Sequence, residues 1–184
     1  MSLTGSIYTN AAYETSVSYL REKFPNLTIT VRDNNFYIKF ADPEVERVLV
    51  NNVSSDGVGM SRTDAQNLTT LPVSLFENNR TIQTFDELRL FGNIEIDGKC
   101  FYDARKLSSI DLTNVTRVKG YASFGNCYNL SIKLNMPNLI SLGQFSFQSS
   151  GITEIEDLGH ITEIPGYNSA CFVGCKNLTK VVLP

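Results

Sequence analysis

Four cysteines, one histidine and a short acidic loop are the residues whose types suit chemistry in this 184-residue chain. Cys100, Cys127, Cys171 and Cys175 all fall in the second half, and an even number is compatible with disulfides or a metal site. His160 is the sole histidine, so no cluster of imidazoles is available to a metal; set in Asp157-Leu-Gly-His-Ile, it reads as a turn or surface residue. The segment Asn52-Val-Ser-Ser-Asp-Gly-Val-Gly-Met-Ser-Arg-Thr-Asp64 has the outline of a calcium loop, which needs oxygen ligands at alternate positions, a glycine at the turn and a late bidentate carboxylate. Counted from Ser54, Asp56 stands third and Gly59 sixth, but Val58 holds the fifth position and Asp64 is only eleventh. Asp56 and Asp64 are therefore a weak remnant of such a loop, and the segment reads as a structural turn. Neither a Gly-x-Ser-x-Gly elbow nor a phosphate-cradling Gly-x-x-x-x-Gly-Lys occurs. No catalytic residue, cofactor or metal is expected, and the chain is not expected to be an enzyme.

The elements that position these residues form a repeat array. Residues 101–123 and 124–146 read as one segment written twice, each beginning with Phe. Extending the frame gives Phe76, Phe101, Phe124, Phe147 and Phe172, at intervals of 25, 23, 23 and 25 residues. Such periods mark a solenoid, in which a coil too short to bury its own apolar face stacks on identical neighbours. Six residues after Phe stand Ile82, Leu107, Leu130 and Leu178, with Ile152 in the slightly shorter fourth repeat; three further on stand Phe85, Ile110, Ile155 and Val181. The repeat beginning at Phe124 departs, placing Ile132 and Leu134 around Lys133, so its register shifts by one. These positions alternate with Ser109, Asp111, Glu154 and Lys180, which predicts one half-buried strand per repeat. A second apolar pair follows, as in Val115/Val118, Leu139/Leu142 and Ile161/Ile164, and then a glycine at 98, 120, 143 or 166 that is expected to reverse the chain.

The same frame absorbs the cysteines. Cys100 and Cys171 precede a marker Phe, in a column with Ser123 and Ser146; Cys127 and Cys175 follow it by three, in a column with Asn79, Ala104 and Ser150. Both columns mostly take small residues, and free Cys packs as a small hydrophobe. Packing is thus the plainer reading of all four.

Ahead of the array, Tyr13, Val17, Leu20 and Phe24 predict an amphipathic helix over residues 10–24, stopped by Pro25. Residues 27–32 and 36–40, joined by Asp33-Asn34-Asn35, predict a hairpin. Asp42-Pro43 should start a second helix running to about Asn51, and Ser61 with Asp64 should cap a third through Asn67. The expected class is α+β: a helix-hairpin-helix capping region over residues 1–70, then a solenoid over 71–184 of about five repeats, the last incomplete.

The string Phe172-Val-Gly-Cys-Lys-Asn-Leu-Thr-Lys-Val-Val-Leu-Pro184 resembles the BspA-like class of bacterial leucine-rich repeats, whose unit runs small residue, Phe, Cys, Leu, Ile and Leu-Pro. Ala104 and Ser150 replace the Cys, and only the last repeat keeps Leu-Pro. The segment from Phe40-Ala-Asp-Pro-Glu-Val-Glu-Arg-Val to Asp56-Gly-Val-Gly59 is similar to the region preceding such repeats, where the loop is often richer in Asp. The resemblance implies a non-catalytic surface adhesion or protein-binding module, extracellular or at the cell surface.

Composition agrees with a binding role and excludes others. A net charge of −3 offers no basic surplus for nucleic acid, no apolar run is long enough to span a bilayer, and residues 1–6 carry no signal-peptide pattern. Asn26, Asn52, Asn67, Asn79, Asn114, Asn129 and Asn177 begin Asn-x-Ser/Thr triplets, though Asn129 and Asn177 share one repeat column and so follow from the repeat itself. A protein or glycan ligand is expected on the strand face that carries Asp86, Ser109, Asp111, Lys133, Glu154 and Lys180. An alternative is a structural component such as a bacteriophage tail or stalk part. The array stops at Val181-Val-Leu-Pro184 without a polar capping repeat, so self-association through that end is a further expectation.

Overall fold

The computed structural model describes residues 19–26, 37–161 and 170–182. The chain forms two compact units, Met1–Tyr37 and Ile38–Pro184. Of the first, residues 19–23 are helical, and the Phe24 N–H closes the last turn on the Leu20 carbonyl at 2.9 Å. The rest of the predicted first helix, residues 27–36 of the hairpin, and Ile164 and Gly166 lie outside the described residues.

The second unit opens with α1 (Pro43–Val53) and α2 (Arg62–Asn67), where the capping residues predict them. Asp42 Oδ1 accepts the Glu44 N–H at 2.9 Å, satisfying a donor that the first helical turn leaves orphaned. Its other oxygen accepts the Gln83 N–H at 2.6 Å, so one carboxylate both caps α1 and ties it to the first repeat. At α2 the reciprocal box forms: Ser61 Oγ accepts the Asp64 N–H, and Asp64 Oδ2 accepts the Ser61 N–H. Val45, Val48 and Leu49 of α1 and Ala65 of α2 belong to the same continuous core as the repeats.

The coils begun by Phe76, Phe101 and Phe124 hold the expected strand and also a second one. The expected ladder comprises β2 (Thr84–Phe85), β4 (Ser109–Ile110), β6 (Lys133–Asn135), β8 (Glu154–Asp157) and β9 (Lys180–Val181). It runs parallel in two pieces, β2-β4 and β6-β8-β9. The second ladder is one four-stranded parallel sheet, β1 (Thr70–Leu71), β3 (Ile94–Ile96), β5 (Val115–Tyr121) and β7 (Ser141–Gln144). Its register stacks Leu71, Ile96, Val118 and Leu142 on one another. Between β2 and β3 a 3-10 helix (Asp86–Leu90) buries Leu88.

Between the two ladders runs the phenylalanine column. Phe76, Phe101, Phe124 and Phe147 are buried and stack with Phe172 in parallel, at centroid spacings of 5.0, 4.9, 4.9 and 5.6 Å. The first three spacings match the separation of about 4.8 Å between neighbouring strands, so the ring pitch is the coil pitch. Phe76, Phe101, Phe124 and Phe147 each sit in a tight corner whose residues at −2 and +2 take positive φ, as at Lys99 and Asp103 or Ala122 and Asn126. The corner holds because its N–H groups bond the next coil: Phe101 to the Ser123 carbonyl at 2.7 Å and Phe124 to that of Ser146 at 2.6 Å.

The glycine column has more than the expected purpose. Gly120 (φ +63°) does take a reversing conformation. Gly98 and Gly143 do not have positive φ; a Cβ on Gly143 would lie 2.2 Å from the Gly120 carbonyl oxygen, so this glycine is there because two backbones touch.

All four cysteines are free thiols in the small-residue columns. Cys127 Sγ donates to the Phe101 carbonyl at 3.1 Å, and Cys175 Sγ to that of Phe147 at 3.0 Å. Ser146 Oγ and Cys171 Sγ both donate to the Gly143 carbonyl, which explains why Ser and Cys exchange within a column: each is a small buried donor. Burial pushes the Cys100 and Cys127 thiols well up, away from the reactive thiolate. In the native protein a thiol-specific disulfide reagent is therefore expected to modify half-buried Cys175 first and to leave Cys100 and Cys127 intact until urea unfolds the chain. Equal rates at all four sites would contradict this packing.

A pH dependence follows from α1. Hydrogen bonds from Arg47 Nε and Nη2, at 2.7 and 2.8 Å, and one from Asn79 outweigh burial and hold the Glu44 carboxyl at about 2. A carboxyl lowered by folding stabilises the native state above its ordinary range, and that stabilisation is lost as pH falls from about 4.5 towards 2. Glu44→Gln is expected to flatten this part of the acid limb in denaturation curves; an unchanged limb would show that the pair contributes nothing.

Candidate functional site

The face built by the outward residues of β2, β4, β6, β8 and β9 carries polar contacts in two groups, one on β2 and β4 and one on β6, β8 and β9. Ser109 Oγ donates to Asp86 Oδ1 at 2.5 Å, and one strand further on Asp111 Oδ1 accepts the Thr113 N–H at 3.0 Å and its hydroxyl at 2.6 Å. Lys133 Nζ lies 3.2 Å from Glu154 Oε1 and 3.6 Å from Glu156 Oε1, and Lys180 lies 3.9 Å from Glu154. Hydrogen bonding to Glu154, then its charge and that of Glu156, raise the Lys133 ammonium above its ordinary range. Exposed pairs of this kind are screened by water and contribute little stability, so the row organises side chains more than it stabilises the fold.

The ladder breaks between β4 and β6, and the break has a sequence cause. Leu107 and Ile110 are separated by two residues, whereas Leu130 and Leu134 are separated by three. The pairing of Lys133 with Glu154 and Leu134 with Ile155 keeps β6 in register with β8, so the extra residue falls at Ser131–Ile132, on the β4 side. Among the described residues no strand pairing joins β4 to β6. A cleft of about 250 Å³ opens there. Ile110, Leu112 and Ile132 form its apolar lining, and Asp86, Asp111, Thr113, Lys133 and Asn135 its polar lining.

Of the residues predicted to form a binding face, Asp86, Asp111 and Lys133 meet at this cleft, and Ser109 holds Asp86. Glu154 and Lys180 stand further along the same ladder, on β8 and β9. The residues missed were Ile110, Leu112, Ile132, Thr113 and Asn135; the one-residue register shift around Lys133 was the signal that marked the place. A second charged surface, on the other sheet, was also missed: Glu95 reaches both Arg117, at 3.6 Å, and Lys119.

The loop with the outline of a calcium site uses its carboxylates otherwise. Asp56 Oδ1 accepts the Val58 N–H at 2.8 Å and the Gly59 N–H at 3.3 Å, organising a turn, and Asp64 serves the α2 cap. Among the described residues no group of three or more His, Cys, Asp and Glu side chains converges to hold a metal, and no helix is long and apolar enough to cross a membrane. His160 is exposed, and its N–H donates to the Leu139 carbonyl at 3.0 Å.

Comparison with known proteins bears on the fold and on the repeats. The family described as the BspA type leucine rich repeat region, in six copies, matches residues 94–184. No curated protein matches the chain. A solved leucine-rich repeat protein from Bacteroides ovatus superposes with a TM-score of 0.55 at 18% identity, covering 86% of this chain. The chain spans 41% of that protein's length, and at this identity the likeness is one of fold.

Proposed function

We propose that this chain, whose residues 94–184 match the BspA type leucine rich repeat region, is a non-catalytic module that binds a protein or glycan through the outer face of its broken ladder. The observation that carries the reading is the convergence of Asp86, Asp111 and Lys133 on the cleft between β4 and β6. A face of mixed sign, with short strands and a local apolar opening, suits a partner that is itself mixed in character. An adhesive role at a cell surface is the setting that fits such a face. Residues 38–70 act in this reading as the cap of the solenoid, since α1 and α2 lend apolar residues to the core beside the first repeat.

The test is an array of purified glycans and proteins probed with the wild-type chain, with Asp111→Lys and with Glu95→Lys, the last lying on the other sheet. The expected result is a set of ligands whose signal falls about tenfold or more with Asp111→Lys and persists with Glu95→Lys. The opposite ranking, or no ligand at all, would overturn the proposal.

A further inference from the structure

We infer that the cleft at the ladder break is a receptor for one arginine side chain of an extended segment of a protein partner. This rests on the binding reading above and chooses between its two ligand classes.

The argument begins with register. Thr84 pairs with Ser109 and Phe85 with Ile110, so Asp86 and Asp111 follow on adjacent coils, about one strand spacing of 4.8 Å apart. Each carboxylate is held by one oxygen: Asp86 Oδ1 by the Ser109 hydroxyl, Asp111 Oδ1 by Thr113. Among the described residues, Oδ2 of each has no protein partner. Two oriented carboxylates one coil apart present the acceptors that a planar guanidinium, with donors on two edges, satisfies together.

The balance of charge points the same way. Lys133 is already engaged by Glu154 and Glu156, and Lys180 by Glu154, so along this ladder the carboxylates outnumber the ammonium groups. The cleft thus has an unmet demand for positive charge. Ile110, Leu112 and Ile132 give it an apolar lining on which the methylene stem of an arginine can lie while its head stays at the polar rim. Its volume of about 250 Å³ is below the roughly 300–1,000 Å³ of pockets for drug-sized ligands, which suits one long side chain. A calcium ion fits less well, because it wants six or more oxygen ligands and the cleft offers few beyond the two free carboxylate oxygens. A neutral sugar would leave both carboxylates without a counter-charge.

The experiment is a nitrogen-15 NMR titration of the whole chain with N-acetyl-arginine amide. N-acetyl-citrulline amide serves as the uncharged isostere, and calcium chloride as a separate arm. Arginine is expected to move the amides of residues 86, 110–113 and 132–135 saturably at millimolar concentration. Citrulline should bind about tenfold more weakly, and Asp86→Asn and Asp111→Asn should each weaken arginine by about fivefold. Both variants keep an acceptor oxygen for their internal hydrogen bond, and the dispersion of the spectrum reports that they are folded. Absence of saturable shifts at these residues, equal binding of citrulline, or calcium occupying the cleft and blocking arginine would each overturn the inference. Should arginine fail while the array still shows ligands sensitive to Asp111→Lys, only the cleft assignment falls; should arginine bind while the array shows none, the broader proposal falls instead.

Discussion

Phe124→Ala is expected to cost about 4 kcal/mol, within the range for truncating a buried aromatic where the surroundings cannot collapse. Phe124 is fully buried, with Phe101 and Phe147 parallel to it at 4.9 Å on either side. Collapse is resisted because the coils on both sides are already at strand spacing: the Phe101 N–H bonds the Ser123 carbonyl, and the Phe124 N–H bonds that of Ser146. The cavity therefore stays, and the lost transfer energy and lost ring contacts add. Phe172 is the control, since its ring has a described neighbour on one side only and is partly exposed. Urea denaturation of the two variants should give a clearly smaller loss for Phe172→Ala. A loss at Phe124 no larger than at Phe172 would mean that the column is not a continuous core. Because solenoid coils can open separately, hydrogen exchange by coil should accompany the denaturation curves.

Adding one methyl group at Gly143 is expected to be almost as damaging, at about 3 kcal/mol, the upper part of the usual range for overpacking. The new Cβ would stand 2.2 Å from the Gly120 carbonyl oxygen, 3.0 Å from the Lys119 carbonyl carbon and 3.1 Å from that of Gly120. Every one of these is backbone, so no side chain can swing aside, and relief requires β5 and β7 to part. Gly57→Ala isolates the other use of glycine: at φ +67° and with nothing within 4 Å of a Cβ, it should cost only the left-handed strain, about 1 kcal/mol. Equal thermal shifts for the two variants would show that backbone contact is not what requires Gly143.

What was legible in the sequence was whatever repeats or caps. The Phe, Leu and Ile columns announced themselves because each coil needs the same inward residues at the same place. Asp42-Pro43 and the Ser61/Asp64 pair announced helix starts because local hydrogen bonding decides them. The ladder of β1, β3, β5 and β7 was hidden: Val115 and Val118, three apart, lack the alternation of a strand, since β5 bulges against both neighbours. The left-handed corners were hidden too, because Lys99 and Ala122 have no intrinsic preference for positive φ; the hydrogen bonds their N–H groups donate to carbonyls of the next coil impose it. As for the candidate site, the polar residues of the strand face were visible one coil at a time. Their meeting was not, because a cleft between coils belongs to two repeats at once. Only the extra residue beside Ile132 betrayed it.

The most direct test of the account is a carbodiimide footprint of the carboxylates, taken with and without the ligand that gives the strongest array signal. A ligand seated on the broken ladder predicts protection of Asp111, Glu154 and Glu156, with Glu95, Glu46 and Glu77 labelled as in the free chain. Protection of Glu95 with Asp111, Glu154 and Glu156 still fully labelled would place the ligand on the opposite sheet and contradict the account.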